Sequence, residues 1–298
     1  MTNNAQRPFG RLLTAMVTPF AADGSVDVDG AARLAAYLVD EQRNDALVVN
    51  GTTGESPTTT DAEKDAVIRA VVEAVGDRAQ VVAGVGTFST HHTVELARAA
   101  EKAGAHGLLV VSPYYNKPPQ AGLVKHFTTV ADAVDVPVLL YDIPHRTGVA
   151  ISTDTMVTLA GHPRIVGVKD AKGDLAAASW VMHRAEFAYY SGDDAATLPL
   201  LSIGGVGVVG TSTHFTGVAT LDLIEAYERG DVEQARRLHQ ALLPLYTGIF
   251  RTQGTILVKA GLNARGLPAG PVRPPLVDAT EAELAQLRID CADAGLPL

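Results

Sequence analysis

Short apolar runs alternate with amphipathic segments along most of this chain. The runs are dense in Val, Leu and Ile and lack polar alternation, which is typical of strands buried on both faces. We therefore predict eight strands. They lie at residues 14–17, 46–50, 80–85, 107–111, 136–142, 165–169, 187–191 and 206–210.

The segments between these runs have the spacing of amphipathic helices. For example, apolar residues recur three and four positions apart between residues 67 and 75, and Thr60 and Glu63 form a capping box before them. Strands that alternate with helices form a parallel sheet, and eight such units predict a closed (β/α)8 TIM barrel. An open doubly wound sheet is the alternative, but no G-x-G-x-x-G motif follows the first run.

The pattern becomes purely helical after about residue 230. Helices are predicted at residues 231–246, 252–264 and 280–289, and the last begins with a capping box at Thr280 and Glu283. We therefore expect a barrel over residues 1–230 that carries the functional site. A C-terminal helical extension is expected over residues 231–298.

Composition and charge narrow the classes of function. The 298 residues are 47% apolar, enough for a sizeable core, and a net charge of -9 argues against a nucleic-acid surface. Cys291 is the only cysteine, which excludes an intrachain disulfide and a zinc site built from several cysteines. Residues 1–10 lack the apolar core of a secretory signal, and the apolar stretch 198–210 is too short and too interrupted to span a bilayer. We expect a soluble cytoplasmic protein.

Polar and glycine-rich segments follow several of the predicted strands. Barrel enzymes carry their chemistry at the C-terminal ends of the strands, so these segments are expected to meet on one face. They supply a lysine, an arginine, several phenols and several hydroxyls. The segments are GTTGES at 51–56, SPYYNKP at 112–118, YDIPHRTG at 141–148, GVKDA at 167–171 and SGDD at 191–194.

Lys169 is the predicted nucleophile because it ends an apolar run. An ammonium in an apolar pocket loses hydration, so the neutral amine that attacks a ketone to form a Schiff base becomes easier to reach. The alternative is a surface lysine whose charged end reaches the solvent. Lys259 also follows an apolar run, but its segment is predicted to be a helix outside the barrel.

Schiff-base chemistry also needs a proton donor and anchors for the substrate. Tyr141 can supply the proton, Thr53 can relay it, and Arg146 can hold a carboxylate through two hydrogen bonds. Thr52 and Thr53 lie between glycines whose free backbone N–H groups suit a carboxylate. Each residue alone has a structural alternative, as a core aromatic, a turn former or a loop charge. Their convergence at strand ends favours a site.

The five segments, in this order and over essentially the whole chain, resemble the 4-hydroxy-tetrahydrodipicolinate synthase (dihydrodipicolinate synthase) family. This family belongs to the pyruvate-dependent class I aldolases, which include N-acetylneuraminate lyase. The resemblance implies a TIM barrel with a C-terminal helical extension and no cofactor beyond a covalent lysine–pyruvate Schiff base. It also implies condensation of pyruvate with L-aspartate 4-semialdehyde, in lysine and diaminopimelate biosynthesis.

The resemblance further implies a role for each matching residue. Lys169 would form the Schiff base with pyruvate, Tyr141 would be the general acid and base, and Thr53 and Tyr115 would complete a proton relay. Tyr115 would reach in from the neighbouring subunit of a tight dimer, within a tetramer built as a dimer of dimers.

Substrate binding would use a second set of residues. Thr52 and Thr53 would hold the pyruvate carboxylate, and Arg146 would hold the carboxylate of the semialdehyde. The Gly192 carbonyl and Val209 would line the pocket, although residues 207–214 are more polar than is usual for the eighth strand of the family.

The site for feedback inhibition by free lysine departs from the family pattern. Lysine-sensitive members carry histidines and an Asn/Glu pair at positions that correspond here to Asp61, Lys64, Phe88 and His92. Lys64 would repel the ammonium of free lysine, so weak or absent inhibition is expected. Two other functions were considered. A sugar-acid lyase of the same superfamily would not need Arg146, and a non-catalytic barrel would have lost the lysine or the tyrosine.

Overall fold

The computed structural model describes residues 7–296 and 298. Residues 1–6, which form most of the segment used to predict the absence of a secretory signal, lie outside the described residues. Eight parallel strands pair in sequence order, and the last closes on the first, so the predicted TIM barrel is confirmed. The strands are β1 Leu12–Ala15, β2 Ala46–Val49, β3 Gln80–Gly84, β4 Gly107–Val111, β5 Val138–Asp142, β6 Ile165–Asp170, β7 Ala188–Ser191 and β8 Gly207–Gly210.

Helices follow the strands and cover the outside of the barrel. The predicted capping box at Thr60 and Glu63 is present at the start of the second helix. The helices are α1 Val28–Asp40, α2 Asp61–Val75, α3 Thr90–Lys102, α4 Gln120–Asp132, α5 Pro144–Thr147, α6 Thr153–Ala160, α7 Leu175–Arg184, α8 Thr197–Leu201, α9 Thr213–Glu228, α10 Val232–Gly248, α11 Gly254–Ala264 and α12 Glu281–Asp293.

Three predicted strand boundaries were wrong by two residues, and one of them is the start of the first strand, at Leu12 rather than at residue 14. The first strand ends at Ala15 rather than at Val17, because the Val17 N–H donates to His214 Nε2 at 3.2 Å instead of extending the sheet. The fifth strand begins at Val138 rather than at residue 136, and the preceding Pro137 has no N–H to offer the sheet.

The strands are buried on both faces, which explains their dense apolar sequence. Leu47 and Val49 pack under the helices, whereas Ala46 and Val48 fill the barrel interior. When both faces of a strand are buried, apolar residues are favoured at every position, and apolar and polar residues do not alternate.

The pairing of β5 with β6 contains an irregularity that affects the site. Val138 pairs with Ile165, but the next residue, Leu139, pairs with Gly167. Val166 is thus an extra residue in β6. Beyond it the register is regular, and Tyr141 pairs with Lys169, so that both side chains enter the barrel interior.

The C-terminal helices form a layer against the barrel. The boundary predicted at residue 230 falls in the turn between α9 and α10, and α10 packs against both α9 and α12. Within the described part of the chain, no helix combines the length and the apolar character needed to cross a membrane.

Candidate active site

A cavity of about 490 Å³ opens at the C-terminal ends of the strands. An adjoining cavity of about 230 Å³ shares Thr52, Tyr141 and Arg146 with it as lining residues. Lys169, Thr53 and Gly192 line the larger cavity. The barrel therefore brings most of the predicted site residues together on one face.

Lys169 lies at the bottom of this cavity near the end of β6 and is buried. Its Nζ is 4.4 Å from the centroid of the Tyr141 ring. Burial lowers the pKa of Lys169 to about 8; Asp194 opposes this change, and the Arg146 charge adds to it. An amine in this environment is partly neutral near pH 7 and can act as a nucleophile.

Tyr141 stands beside Lys169 on the neighbouring strand. Burial raises the pKa of its hydroxyl to about 12, and Arg146 and a hydrogen bond with Thr52 limit the rise. The phenol therefore stays protonated and can donate its proton to an oxygen that develops charge beside Lys169.

The two threonines of the loop after β2 occupy different positions. Thr52 forms the hydrogen bond with Tyr141, whereas Thr53 Oγ1 lies 3.4 Å from Thr211 Oγ1. The proton relay was predicted for Thr53, but the residue that contacts the Tyr141 hydroxyl is Thr52. Thr53 does line the larger cavity, as expected for a group that binds substrate.

Arg146 belongs to the short helix α5, which begins directly after β5, and its side chain is exposed. It lines both cavities, and within residues 7–296 no carboxylate forms an ion pair with it. An exposed guanidinium at the mouth of a cavity is suited to bind an incoming carboxylate.

Gly192 and Val209 differ in their relation to the cavity. A Cβ atom on Gly192 would lie 3.0 Å from Lys169 Cγ, so the glycine leaves room for the lysine side chain. Val209 is fully buried in the barrel interior and lines neither cavity. Thr211, two residues further along the chain, supplies that part of the lining.

Tyr115 is not brought to the site within one chain. Its side chain is 92% exposed, and its backbone has a φ of 75°, in the left-handed region. The adjacent Tyr114 lines the smaller cavity and makes an edge-to-face contact with Phe88, with ring centroids 5.6 Å apart. Phe88 is itself 55% exposed.

The positions expected to govern inhibition by free lysine lie on the first turns of α2 and α3 and the segment before α3. Asp61 Oδ2 is 2.9 Å from His92 Nε2. Lys64 is buried and donates from Nζ to the Thr59 carbonyl at 2.5 Å. Burial lowers the pKa of Lys64, and the nearby Asp61 and Glu63 charges oppose that change.

Several residues of the site were missed by the sequence analysis. The turn between α10 and α11 lines the mouth of the larger cavity with Phe250 and Gln253, although this region was predicted to lie outside the barrel site. Asp194 is fully buried and accepts hydrogen bonds from Thr211 N and from Ser212. Asp194 could have been predicted from its position in the SGDD segment, whereas no local sequence pattern indicates the contribution of the α10–α11 turn.

Comparisons with known proteins all identify one protein family. The model of the dihydrodipicolinate synthetase family matches residues 8–293. A 4-hydroxy-tetrahydrodipicolinate synthase of Acidothermus cellulolyticus is 68% identical over 288 residues, covering 97% of this chain and 93% of that protein. The 4-hydroxy-tetrahydrodipicolinate synthase 2 of Streptomyces coelicolor is 60% identical, with 100% and 99% coverage. The crystal structure of DHDPS from Cyanidioschyzon merolae with lysine bound has a TM-score of 0.94 and 43% identity, with 97% and 99% coverage.

Proposed function

The chain belongs to the dihydrodipicolinate synthetase family, and on that premise we propose that it condenses pyruvate with L-aspartate 4-semialdehyde. The reaction is that of a lyase of the class I aldolase type and yields 4-hydroxy-tetrahydrodipicolinate. The observation that carries the proposal is the buried Lys169 amine, whose pKa is lowered to about 8 and which lies against Tyr141. No cofactor is needed for this chemistry, because the lysine itself becomes the covalent carrier.

The first half of the reaction joins pyruvate to Lys169. The neutral amine attacks the ketone carbon, Tyr141 protonates the carbonyl oxygen, and loss of water leaves an imine. Loss of a methyl proton then gives an enamine. The carboxylate of pyruvate is held by Thr52 and Thr53, in the loop beside the two reacting side chains.

The second half forms the carbon–carbon bond. The enamine carbon attacks the aldehyde carbon of the semialdehyde, and the new alkoxide takes a proton. The semialdehyde's own amine then replaces Lys169 at the imine carbon, which closes the ring and frees the lysine. Arg146 holds the semialdehyde carboxylate during these steps, and its position on both cavities supports that role.

We also propose a homotetramer built as a dimer of dimers, in which Tyr115 enters the neighbouring subunit's site. Support comes from Tyr115, which is highly exposed and has a left-handed backbone, and from the exposed Phe88 nearby. Tyr115→Phe is expected to lower turnover without changing the folded monomer, and sedimentation measures the assembly. The cytoplasmic location expected from the sequence stays a prediction.

Trapping with borohydride tests the proposed function. Pyruvate and borohydride are expected to add mass irreversibly to the peptide that contains Lys169, and Lys169→Ala is expected to abolish the adduct. Peptide mapping distinguishes Lys169 from Lys259 and Lys64, which are also buried lysines with lowered pKa values. An unmodified protein, or an adduct on Lys259, would overturn the proposal.

Arg146 separates the synthase from a sugar-acid lyase of the same superfamily. Arg146→Met is expected to raise the KM for the semialdehyde strongly, because the second carboxylate loses its partner, while pyruvate is still trapped on Lys169. Turnover with the semialdehyde that is unaffected by this change would favour the lyase.

A further inference from the structure

The loop between β2 and α2 carries Thr52 and Thr53 in an unusual backbone conformation. Asn50 and Glu55, on either side of the two threonines, have φ angles of 56° and 55°. Residues other than glycine rarely adopt this left-handed backbone conformation unless neighbouring contacts hold them there. The geometry of the threonines therefore depends on what holds the two ends of the loop.

The C-terminal extension holds the loop through the Glu55 carboxylate. Glu55 Oε1 lies 2.6 Å from Lys259 Nζ, on α11, and both side chains are 2% exposed. Glu55 Oε2 accepts a hydrogen bond from the backbone N–H of Arg273 at 2.8 Å. Both oxygens of the carboxylate are thus bound by residues more than 200 positions further along the chain.

Lys259 is built into this position as a charged group. Its Nζ also donates to the Pro271 carbonyl at 2.8 Å and lies 3.9 Å from the centroid of the Phe20 ring. Burial lowers its pKa to about 8, and the Glu55 carboxylate opposes that change. Lys169, by contrast, has no hydrogen bond from Nζ to any described residue, and it lines the cavity that Lys259 does not line.

Two more contacts from the extension flank the same loop. Thr255 Oγ1 donates to the Thr53 carbonyl at 3.1 Å, and Arg273 Nη1 donates to the Thr58 carbonyl at 2.7 Å. Removal of the Lys259 charge would leave a buried carboxylate without its counterion, which is strongly unfavourable. The loop would then rearrange to expose Glu55, and Thr52 and Thr53 would move with it.

We propose, resting on the function proposed above, that Lys259 and Glu55 are positioning residues. Their ion pair fixes the loop that binds the carboxylate of the keto acid. Lys259 and Glu55 thereby set the affinity of the site for pyruvate without lining the cavity themselves. Lys259, which resembles a nucleophile in sequence, serves the reaction through Thr52 and Thr53.

Steady-state kinetics of Lys259→Met and Glu55→Gln test the proposal. Both variants are expected to raise the KM for pyruvate by about tenfold or more, as expected for a lost binding contribution, and to lower kcat as well, because a displaced Thr52 no longer supports Tyr141. The double variant is expected to be less impaired than the two single effects combined, because it removes both buried charges. Thr255→Val, which deletes only one neutral hydrogen bond, is a milder variant that should fold and raise the KM by about threefold.

Glu228→Gln is the matched control. Glu228 forms ion pairs with Arg7 and Arg11 at the opposite end of the barrel, so the same type of substitution there is expected to leave the KM for pyruvate unchanged. A KM in Lys259→Met, Glu55→Gln and Thr255→Val equal to that of the control would overturn the proposal.

Hydrogen exchange separates this proposal from the proposed function. Residues 50–59 are expected to lose protection in Lys259→Met and Glu55→Gln and to keep it in Glu228→Gln, whatever the substrate is. Unchanged protection would refute the positioning role even in a protein that traps pyruvate. Failure of the wild type to trap pyruvate, with protection lost in the variants, would refute the function and leave the structural coupling.

Discussion

Burial of the charged Lys169 lowers the free energy of unfolding, and a single substitution by an uncharged residue should raise it. Burial lowers the pKa of Lys169 from its ordinary 10.5 to about 8. At about 1.4 kcal/mol per pKa unit, the folded state loses about 3 kcal/mol at pH 7 relative to an unfolded chain that keeps its lysine protonated. Lys169 is only 5% exposed, so solvent screens this term little.

Lys169→Met removes the charge and keeps an unbranched side chain of similar length in the same space. We expect the variant to be inactive and more stable than the wild type by about 3 kcal/mol at pH 7. For 298 residues, an unfolding entropy of about 2.1 cal/mol/K per residue converts this gain to about 5 °C in the melting temperature.

The dependence of the gain on pH identifies its cause. Because the folded pKa of Lys169 is depressed, the cost is present in full below about pH 8 and disappears as the pH rises towards 10.5, where the unfolded chain also loses its proton. The gain is therefore expected to fall to about 1 kcal/mol at pH 10. Differential scanning calorimetry of both proteins at pH 7 and pH 10 measures it.

Lys259→Met is the matched comparison, because burial also lowers the pKa of Lys259 to about 8. Lys259 pairs with Glu55, so its removal leaves a buried carboxylate alone and is expected to lower the melting temperature. If Lys169→Met gave no gain at pH 7, or an equal gain at both pH values, the desolvation argument would be refuted.

Four further results are expected. The rate of adduct formation at limiting pyruvate should rise with pH through about pH 8 and level off above it as Lys169 deprotonates; a rise that continues towards pH 10 would contradict the lowered pKa. Tyr141→Phe should lower kcat by about 10²-fold to 10⁴-fold, as loss of a general acid does, and Thr52→Val should lower it more than Thr53→Val, because Thr52 bonds Tyr141. Free lysine at sub-millimolar concentration should leave the steady-state rate unchanged because Lys64 repels its ammonium, and clear inhibition would refute this.

The fold and the centre of the site could be predicted because they follow from local patterns. Strands buried on both faces have a distinctive composition, and the rule that barrel chemistry lies at strand ends selects Lys169, Tyr141 and Arg146. Both steps need only short stretches of sequence. No long-range contact had to be known.

The remaining features depend on contacts between distant segments. Glu55 and Lys259 are separated by more than 200 residues, and neither sequence neighbourhood indicates the other. The choice between Thr52 and Thr53 as the partner of Tyr141 depends on the backbone angles of one turn. Val209 was placed in the pocket by resemblance, but it is fully buried in the barrel interior and lines neither cavity.

The extra residue in β6 interrupts the alternation of side chains, so the residues before it do not determine which way the residues after it face. Ile165 packs under the helices, so unbroken alternation from it would turn Lys169 to the helices as well. When one residue is deleted from β6, the face of the sheet on which the Lys169 amine lies therefore depends on which residue is lost. Loss of Val166 would straighten the strand and keep Lys169 inside the barrel, whereas loss of Val168 would turn the amine outwards and Asp170 inwards.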